Sequence, residues 1–322
     1  RATLETPASQ PQTSARELYR WLVAPALEHL ANTETLVIIP SGELRLIPWG
    51  ALYDGEAYLI ERLALAYSPG PGLLPANRPL PPDPRVLVNA ISEPITLAAA
   101  TPGTRAVAFA ALPATETEVS LLTELFPRRT RTLVNDAFNP SRFARTATQI
   151  PFDIIHIASH AQFGASTNEA FVLAYNERLT LGALRRLLAP NRVRRDPVAL
   201  LTLSACETAR GDDRAPLGLA GIALAAGAQS VVASLWAVED QATAALMAVF
   251  YRQLKAGQSR GEALRTAQLA LLQGEAEGTL PRGFVLDPAP GEPPAPGERG
   301  IGIAGDVHPF YWAPFLLMGS WR

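Results

Sequence analysis

A three-layer α/β sandwich with a mostly parallel central sheet is the fold the sequence predicts, and three observations predict it. Short apolar runs recur after residue 84, helix-period segments alternate with them, and the runs are nearly continuous rather than alternating apolar with polar. Continuous runs mark strands buried on both faces, as in a parallel sheet covered by helices on each side. Strands are expected at 85–90, 131–134, 153–158, 198–204 and 230–236. Helices are expected at 116–125, behind a capping box Thr115-x-x-Glu118, and at 140–149, 180–188, 217–226 and 241–256. A last helix, 260–272, starts from Ser259 with Glu262 three residues on.

Ahead of this core, residues 15–83 read as an attached N-terminal α/β subdomain, with a helix around 16–30 and strand-like segments at 35–39, 44–48 and 58–67. The Pro/Gly-rich stretch 69–84 forms the joint, and 84–322 is the main domain. Residues 1–14 look like a polar linker, and a chain that begins at Arg1 reads as a piece of a longer protein. A Pro/Gly-rich insertion at 278–306 precedes a final apolar segment, 308–319.

Composition narrows the chemistry. One cysteine, Cys206, excludes intramolecular disulfides and every zinc site that needs two thiols. Lys255 is the only lysine among 28 basic residues, so Schiff-base chemistry and a P-loop have almost nothing to work with. A formal charge of -2 gives no electrostatic footprint for nucleic acid, and direct binding of nucleic acid is not expected. The longest uncharged run, Leu217 to Val238, is interrupted by Gly227, Gln229, Ser230 and Ser234. It reads as a buried helix, turn and strand rather than a membrane span.

Four motif matches lose their chemistry in context. Gly300-Ile-Gly302-Ile-Ala-Gly305 spells a dinucleotide fingerprint but lacks a strand before it and a helix after it. Gly257-Gln-Ser259-Arg-Gly261 spells a nucleophile elbow, yet it lies between two helices, where Ser259 serves better as a cap. His156 and His160 would be a metal pair on a helix, but Asp153-Ile-Ile-His156-Ile-Ala is strand-like. Arg185, Arg186, Arg192, Arg194 and Arg195 form a basic stretch without interleaved aromatics, the mark of a solvated surface.

Two strands end in reactive residues. Segment 153–158 runs into Ser159-His160-Ala161, and 198–204 runs into Ala205-Cys206-Glu207. Functional groups of open parallel sheets collect beyond the carboxyl ends of strands, so neighbouring strands about 4.8 Å apart would bring imidazole and thiol within reach. A histidine base beside a thiol is the minimal apparatus for attack on a carbonyl. The peptide N–H groups of Ala161 and Cys206, both just after strands, are candidates for an oxyanion hole. Asp153 starts the strand whose far end carries His160, which excludes it as a third member; His156 points into the sheet and reads as structural.

His156-Ile-Ala-Ser-His160-Ala, Leu203-Ser-Ala-Cys206-Glu-Thr, Gly227-Ala-Gln-Ser-Val-Val-Ala-Ser-Leu-Trp236-Ala-Val-Glu-Asp240 and His308-Pro-Phe-Tyr-Trp312-Ala-Pro-Phe resemble, in this order, the CHAT domain family. Arg45-Leu-Ile-Pro-Trp49 fits the family's N-terminal part, and the resemblance runs from about residue 16 to 322. CHAT domains are caspase-like cysteine peptidases related to separase, so the resemblance implies a caspase-like sandwich and regulated, limited cleavage of a protein or peptide substrate. It implies His160 as general base or acid and Cys206 as nucleophile. The family has glycine after the catalytic histidine where this chain has Ala161, a departure that bears on oxyanion-hole geometry. Ser204 matches a position that helps form the pocket for P1, the residue before the scissile bond. Asp240 matches an aspartate resembling the pocket acid of separases, which would favour a basic P1 residue; as a residue it reads equally as the N-cap of helix 241–256.

Loops 207–216 and 278–306 contain Arg210, Arg214, Arg282 and Arg299 and read as gates or self-cleavage sites, with a passive surface insertion the favoured alternative for 278–306. The resemblance also implies a regulatory partner or an upstream sensor domain. No cofactor, metal or membrane partner is expected, and the compartment expected is the cytoplasm. The rival readings are a catalytically idle CHAT-like scaffold for binding proteins and a flavodoxin-like ligand-binding domain.

Overall fold

The computed structural model describes residues 11–70, 72, 78–98, 106–162, 171–180, 182–187, 197–204, 224, 227–274 and 307–322. Its N-terminal part holds helices α1 (Gln12–Leu22) and α2 (Leu27–Leu30), strand β1 (Thr35–Ile38), helix α3 (Leu59–Arg62) and strand β2 (Ala64–Tyr67). Strand β3 (Val86–Ala90), the antiparallel pair β4 (Ile95–Leu97) and β5 (Val107–Phe109), helix α4 (Ala114–Leu125), strand β6 (Thr130–Val134) and helix α5 (Pro140–Gln149) follow. Strand β7 (Ile154–Ala158) leads into a small antiparallel sheet, β8 (Ala161–Gln162), β9 (Phe171–Ala174) and β10 (Glu177–Thr180). Strands β11 (Leu200–Ser204) and β12 (Ser230–Ser234), helices α6 (Asp240–Lys255), α7 (Arg260–Leu272) and α8 (Pro309–Trp312), and strand β13 (Phe315–Gly319) complete the described chain.

The main sheet has eight strands in the order β1-β2-β13-β12-β11-β7-β3-β6. Its pairings are parallel except β12 with β13. Every residue of β3, β7, β11 and β12 is buried, as continuous apolar runs require when both faces of a sheet are covered. Residues Ala242 to Tyr251 of α6 are buried all round, and the helix packs against both α4 and α7. It is therefore an inner helix, and its sequence shows no exposed polar stripe for that reason.

Five strands and four helices expected after residue 84 are present within one or two residues of their expected bounds, including α7 with Ser259 Oγ accepting from Glu262 N–H at 3.2 Å. Four expectations change. Segment 44–48 is not a strand: Gly42 takes φ +54° and a 3₁₀ turn forms over Gly42–Leu46, closed by Trp49 Nε1 donating to Leu44 O. Segment 58–67 divides into α3 and β2, because Glu61 reaches back to accept the Tyr58 N–H at 2.6 Å and fixes a helical turn before the strand. Of the expected helix 180–188, the described residues 182–187 are helical and Thr180 closes β10 instead. The capping box at Thr115 does not form. Helix α4 begins at Ala114, Thr115 Oγ1 donates to Leu112 O at 2.7 Å, and Glu118 turns inward to be 1 % exposed.

The N-terminal strands β1 and β2 are continuous with the main sheet through β13, so this region and the later strands share one sheet. No helix among the described residues is long and apolar enough to cross a membrane. Helix 217–226 (apart from residue 224), loops 207–216 and 278–306, Gly300-x-Gly-x-x-Gly305 and the arginines at 192–195 lie outside the described residues.

Candidate active site

Strands β3, β7 and β11 end level. Ala90 pairs with Ala158, and Ala158 pairs with Ser204. His160 follows two residues after Ala158, and in the sequence Cys206 follows two residues after Ser204. Cys206 itself lies outside the described residues. The central position of β7 between β3 and β11 is what puts the two reactive motifs on adjacent strands of one parallel sheet.

The turn that carries His160 is held on both sides. Ser159 N–H donates to Ser204 O at 3.2 Å, and Ser159 Oγ donates to Leu173 O at 2.6 Å. His160 O accepts from Leu173 N–H at 2.8 Å. The imidazole is 5 % exposed and lies against the Phe109 ring, with centroids 5.3 Å apart. Its Nε2 stands 2.7 Å from Ala110 O. A carbonyl only accepts, so Nε2 carries the proton and Nδ1 is the basic nitrogen of the neutral ring. Nothing in the sequence signals the Ala110 carbonyl, because a backbone oxygen leaves no residue-type signature.

Ala161 lies opposite Val172 in the β8–β9 ladder, next to the hydrogen-bonded position of His160 and Leu173. Alternate positions of an antiparallel ladder direct their peptide groups away from the partner strand, so the Ala161 N–H faces away from β9. Ala161 is not among the residues with positive φ. Alanine therefore occupies this turn without the left-handed geometry that would demand glycine.

Asp240 is the first residue of α6, and Glu239, whose side chain accepts from Ala242 N–H, is the N-cap. The Asp240 carboxylate instead crosses to α4 and accepts the Ala114 N–H at 2.8 Å. Burial pushes its pKa up to about 6; the Ala114 hydrogen bond and the nearby His160 pull down, and the Glu118 charge pushes up. Asp240 and His160 thus belong to one electrostatic neighbourhood.

Ser204 is fully buried, and its hydroxyl donates to Glu118 Oε2 at 2.7 Å. His156 Nε2 stands 3.0 Å from the same oxygen without the alignment of a good hydrogen bond. On its other side, His156 Nδ1 is 3.0 Å from the Tyr251 hydroxyl, which donates to Thr202 Oγ1 at 2.8 Å. This buried chain links β7, β11, α4 and α6, and it employs His156 away from His160. Sequence reasoning missed Glu118 as part of the site. The signal was its place in the stripe Thr115, Glu118, Leu121 and Leu122, where an acid sits at a buried helical position.

Asp153 is at the opposite end of β7, accepting the Arg85 N–H at 2.7 Å. A cavity of about 510 Å³ opens at that far edge, lined by Arg85, Asp153, Ala199 and Gln229 among others, away from the reactive strand ends.

Solved structures share the fold, among them the two that follow. Separase of Saccharomyces cerevisiae, in its complex with securin, matches with a TM-score of 0.51 and 11% identity, over 88% of this chain and 15% of that one. The Arg-specific cysteine proteinase gingipain R matches with a TM-score of 0.51 and 7% identity, over 96% of this chain and 66% of that one. This chain thus spans a small part of separase and about two thirds of gingipain. At these identities the likeness is one of fold, that of caspase-like cysteine peptidases. Among curated protein sequences none matches significantly. The family model of the CHAT domain matches residues 12–320, nearly the whole chain, and the protein belongs to the CHAT domain family.

Proposed function

We propose that the protein is a cysteine endopeptidase whose His160 and Cys206 form a catalytic dyad for limited cleavage of protein substrates. The observation that carries this reading is the register of Ala158 with Ser204, from which His160 and Cys206 each follow at the same two-residue offset. His160 Nδ1, left basic by the Nε2 contact to Ala110 O, accepts the thiol proton. The thiolate attacks the scissile carbonyl, and the tetrahedral oxyanion is met by the N–H groups of Ala161 and Cys206. Collapse expels the amine, protonated by the imidazolium, and water then releases the acyl group from sulfur. The outward direction of the Ala161 N–H supports its role.

A basic P1 preference is part of the proposal. It is supported by the Asp240 carboxylate near His160, and a fold neighbour is itself described as an Arg-specific proteinase. In this reading Ser204 shapes the pocket from beneath, through its bond to Glu118, rather than by offering its hydroxyl to substrate. Separase occurs with securin, which supports a regulatory protein partner here as well.

The test is labelling with an Arg-containing acyloxymethyl ketone, read by intact-mass spectrometry. Modification confined to Cys206, and lost in His160→Ala, is the expected result. Labelling no faster than that of a free thiol, with or without His160, would overturn the dyad and leave a binding scaffold.

A further inference from the structure

Two carboxylates stand at the reactive end of the sheet, each with one oxygen unsatisfied. Glu118 Oε1 and Asp240 Oδ1 have no hydrogen-bond partner among the described residues. Their second oxygens are committed, Glu118 Oε2 to Ser204 Oγ and Asp240 Oδ2 to Ala114 N–H. The two acids are close enough to repel. Both are tied to α4, because Ala114 and Glu118 are one helical turn apart and so share a face. Among the described residues neither acid has a lysine or arginine partner, and the basic side chains near them are His156, on the Oε2 side of Glu118, and His160, near Asp240. Glu118 is 1 % exposed. A buried carboxylate oxygen left without a donor costs more than a neutral group would, and two acids that repel each other cost more again.

A cation that brings several N–H donors to both acids relieves that cost. A guanidinium has five donors in a rigid planar fork and matches carboxylates in bidentate geometry, whereas an ammonium is a point charge. We propose that Glu118 is a second specificity-determining carboxylate, which with Asp240 forms a two-acid subsite for the guanidinium of a P1 arginine; this deepens, and rests on, the peptidase reading above. Glu118 takes the deep end of the side chain and Asp240 the shallower one, in keeping with their burial. Arginine is accordingly preferred over lysine, which can satisfy only one acid at short range.

The experiment compares peptides with arginine or its neutral isostere citrulline at P1, cleaved by wild type and Glu118→Gln. Glutamine preserves an acceptor for Ser204 and removes the charge. The ratio of kcat/KM for arginine over citrulline is expected to fall about tenfold or more in Glu118→Gln, the scale of one lost charge-assisted contact. Glu118→Asp, with the charge withdrawn by one methylene, should lower it less and serves if the glutamine variant does not fold. A ratio equal to that of wild type, even where both rates fall, would show that Glu118 only supports Ser204 and would overturn the subsite.

Calorimetric binding of argininamide to Cys206→Ala, with and without Glu118→Gln, separates the two readings. Wild-type hydrolysis that does not distinguish arginine from citrulline leaves the peptidase standing and overturns the subsite. Glu118-dependent binding of argininamide with no hydrolysis of either peptide sustains the subsite and overturns the peptidase. Absence of both cleavage and binding overturns both.

Discussion

Asp240 carries the clearest electrostatic signature at the residue scale. Its carboxyl is largely withdrawn from solvent, accepts the Ala114 N–H and is pressed by Glu118, so its pKa rises from 3.8 to about 6. A folded-state pKa above the unfolded value means that the folded protein binds the extra proton. The associated stability is present below about pH 4 and is lost as pH rises through about 6. Asp240→Asn removes this dependence. Urea unfolding should show the stability of wild type relative to Asp240→Asn falling between about pH 4 and about pH 6, then levelling off. A difference that does not vary with pH would mean that Asp240 titrates normally. The same residue illustrates how far a sequence reads at this scale. Its position before a helix suggested an N-cap, yet Glu239 takes that place and Asp240 caps the N-terminus of a different helix, 126 positions away in sequence. No local pattern encodes a cap supplied from so far along the chain.

Among the elements, α4 and α6 do the most to build the site. Helix α4 supplies Glu118 and the Ala114 N–H, while α6 supplies Asp240 at one end and Tyr251 three turns on. The existence of both helices was legible from apolar spacing, and so was the cap at Ser259 of α7. The inward turn of Glu118 was not, because Thr115-x-x-Glu118 has the letters of a capping box and only the packing of α4 on the sheet decides where the side chain goes. Tyr251 tests the weight of the buried chain that results. Burial pushes its phenol well above the ordinary range, so it stays neutral and bridges Thr202 and His156. Tyr251→Phe should cost about 1–3 kcal/mol in urea unfolding, the penalty of leaving buried partners unpaired. A loss below about 0.5 kcal/mol would show that the chain re-forms around the missing hydroxyl.

At the scale of the whole molecule, β13 joins two parts of the sheet that are far apart in sequence. It pairs antiparallel with β12 and meets β2 at Met318 and Tyr67. Gly319, opposite Ser230, makes the end of the β12 pairing feasible. It takes φ +98°, and a Cβ there would run into the Gln229 carbonyl. Gly319→Ala should therefore destabilise the fold by more than about 1 kcal/mol, read as a lower urea midpoint with unchanged slope. An unchanged midpoint would mean that the C-terminal strand can shift without disturbing the sheet.

The amino-acid sequence by itself determined the strands and helices of the parallel core, the ends on which His160 and Cys206 fall, and the family to which the chain is similar. These depend on local periodicity and on motifs a few residues long, which need no knowledge of what packs against them. Tertiary structure decided the rest. It set the order that makes β7 and β11 neighbours, the Ala110 carbonyl that fixes the imidazole tautomer, and the meetings of Glu118 with Ser204 and of Asp240 with Ala114. Each of these is a contact between segments remote in sequence, made where the covering of both sheet faces leaves a buried polar group no other partner.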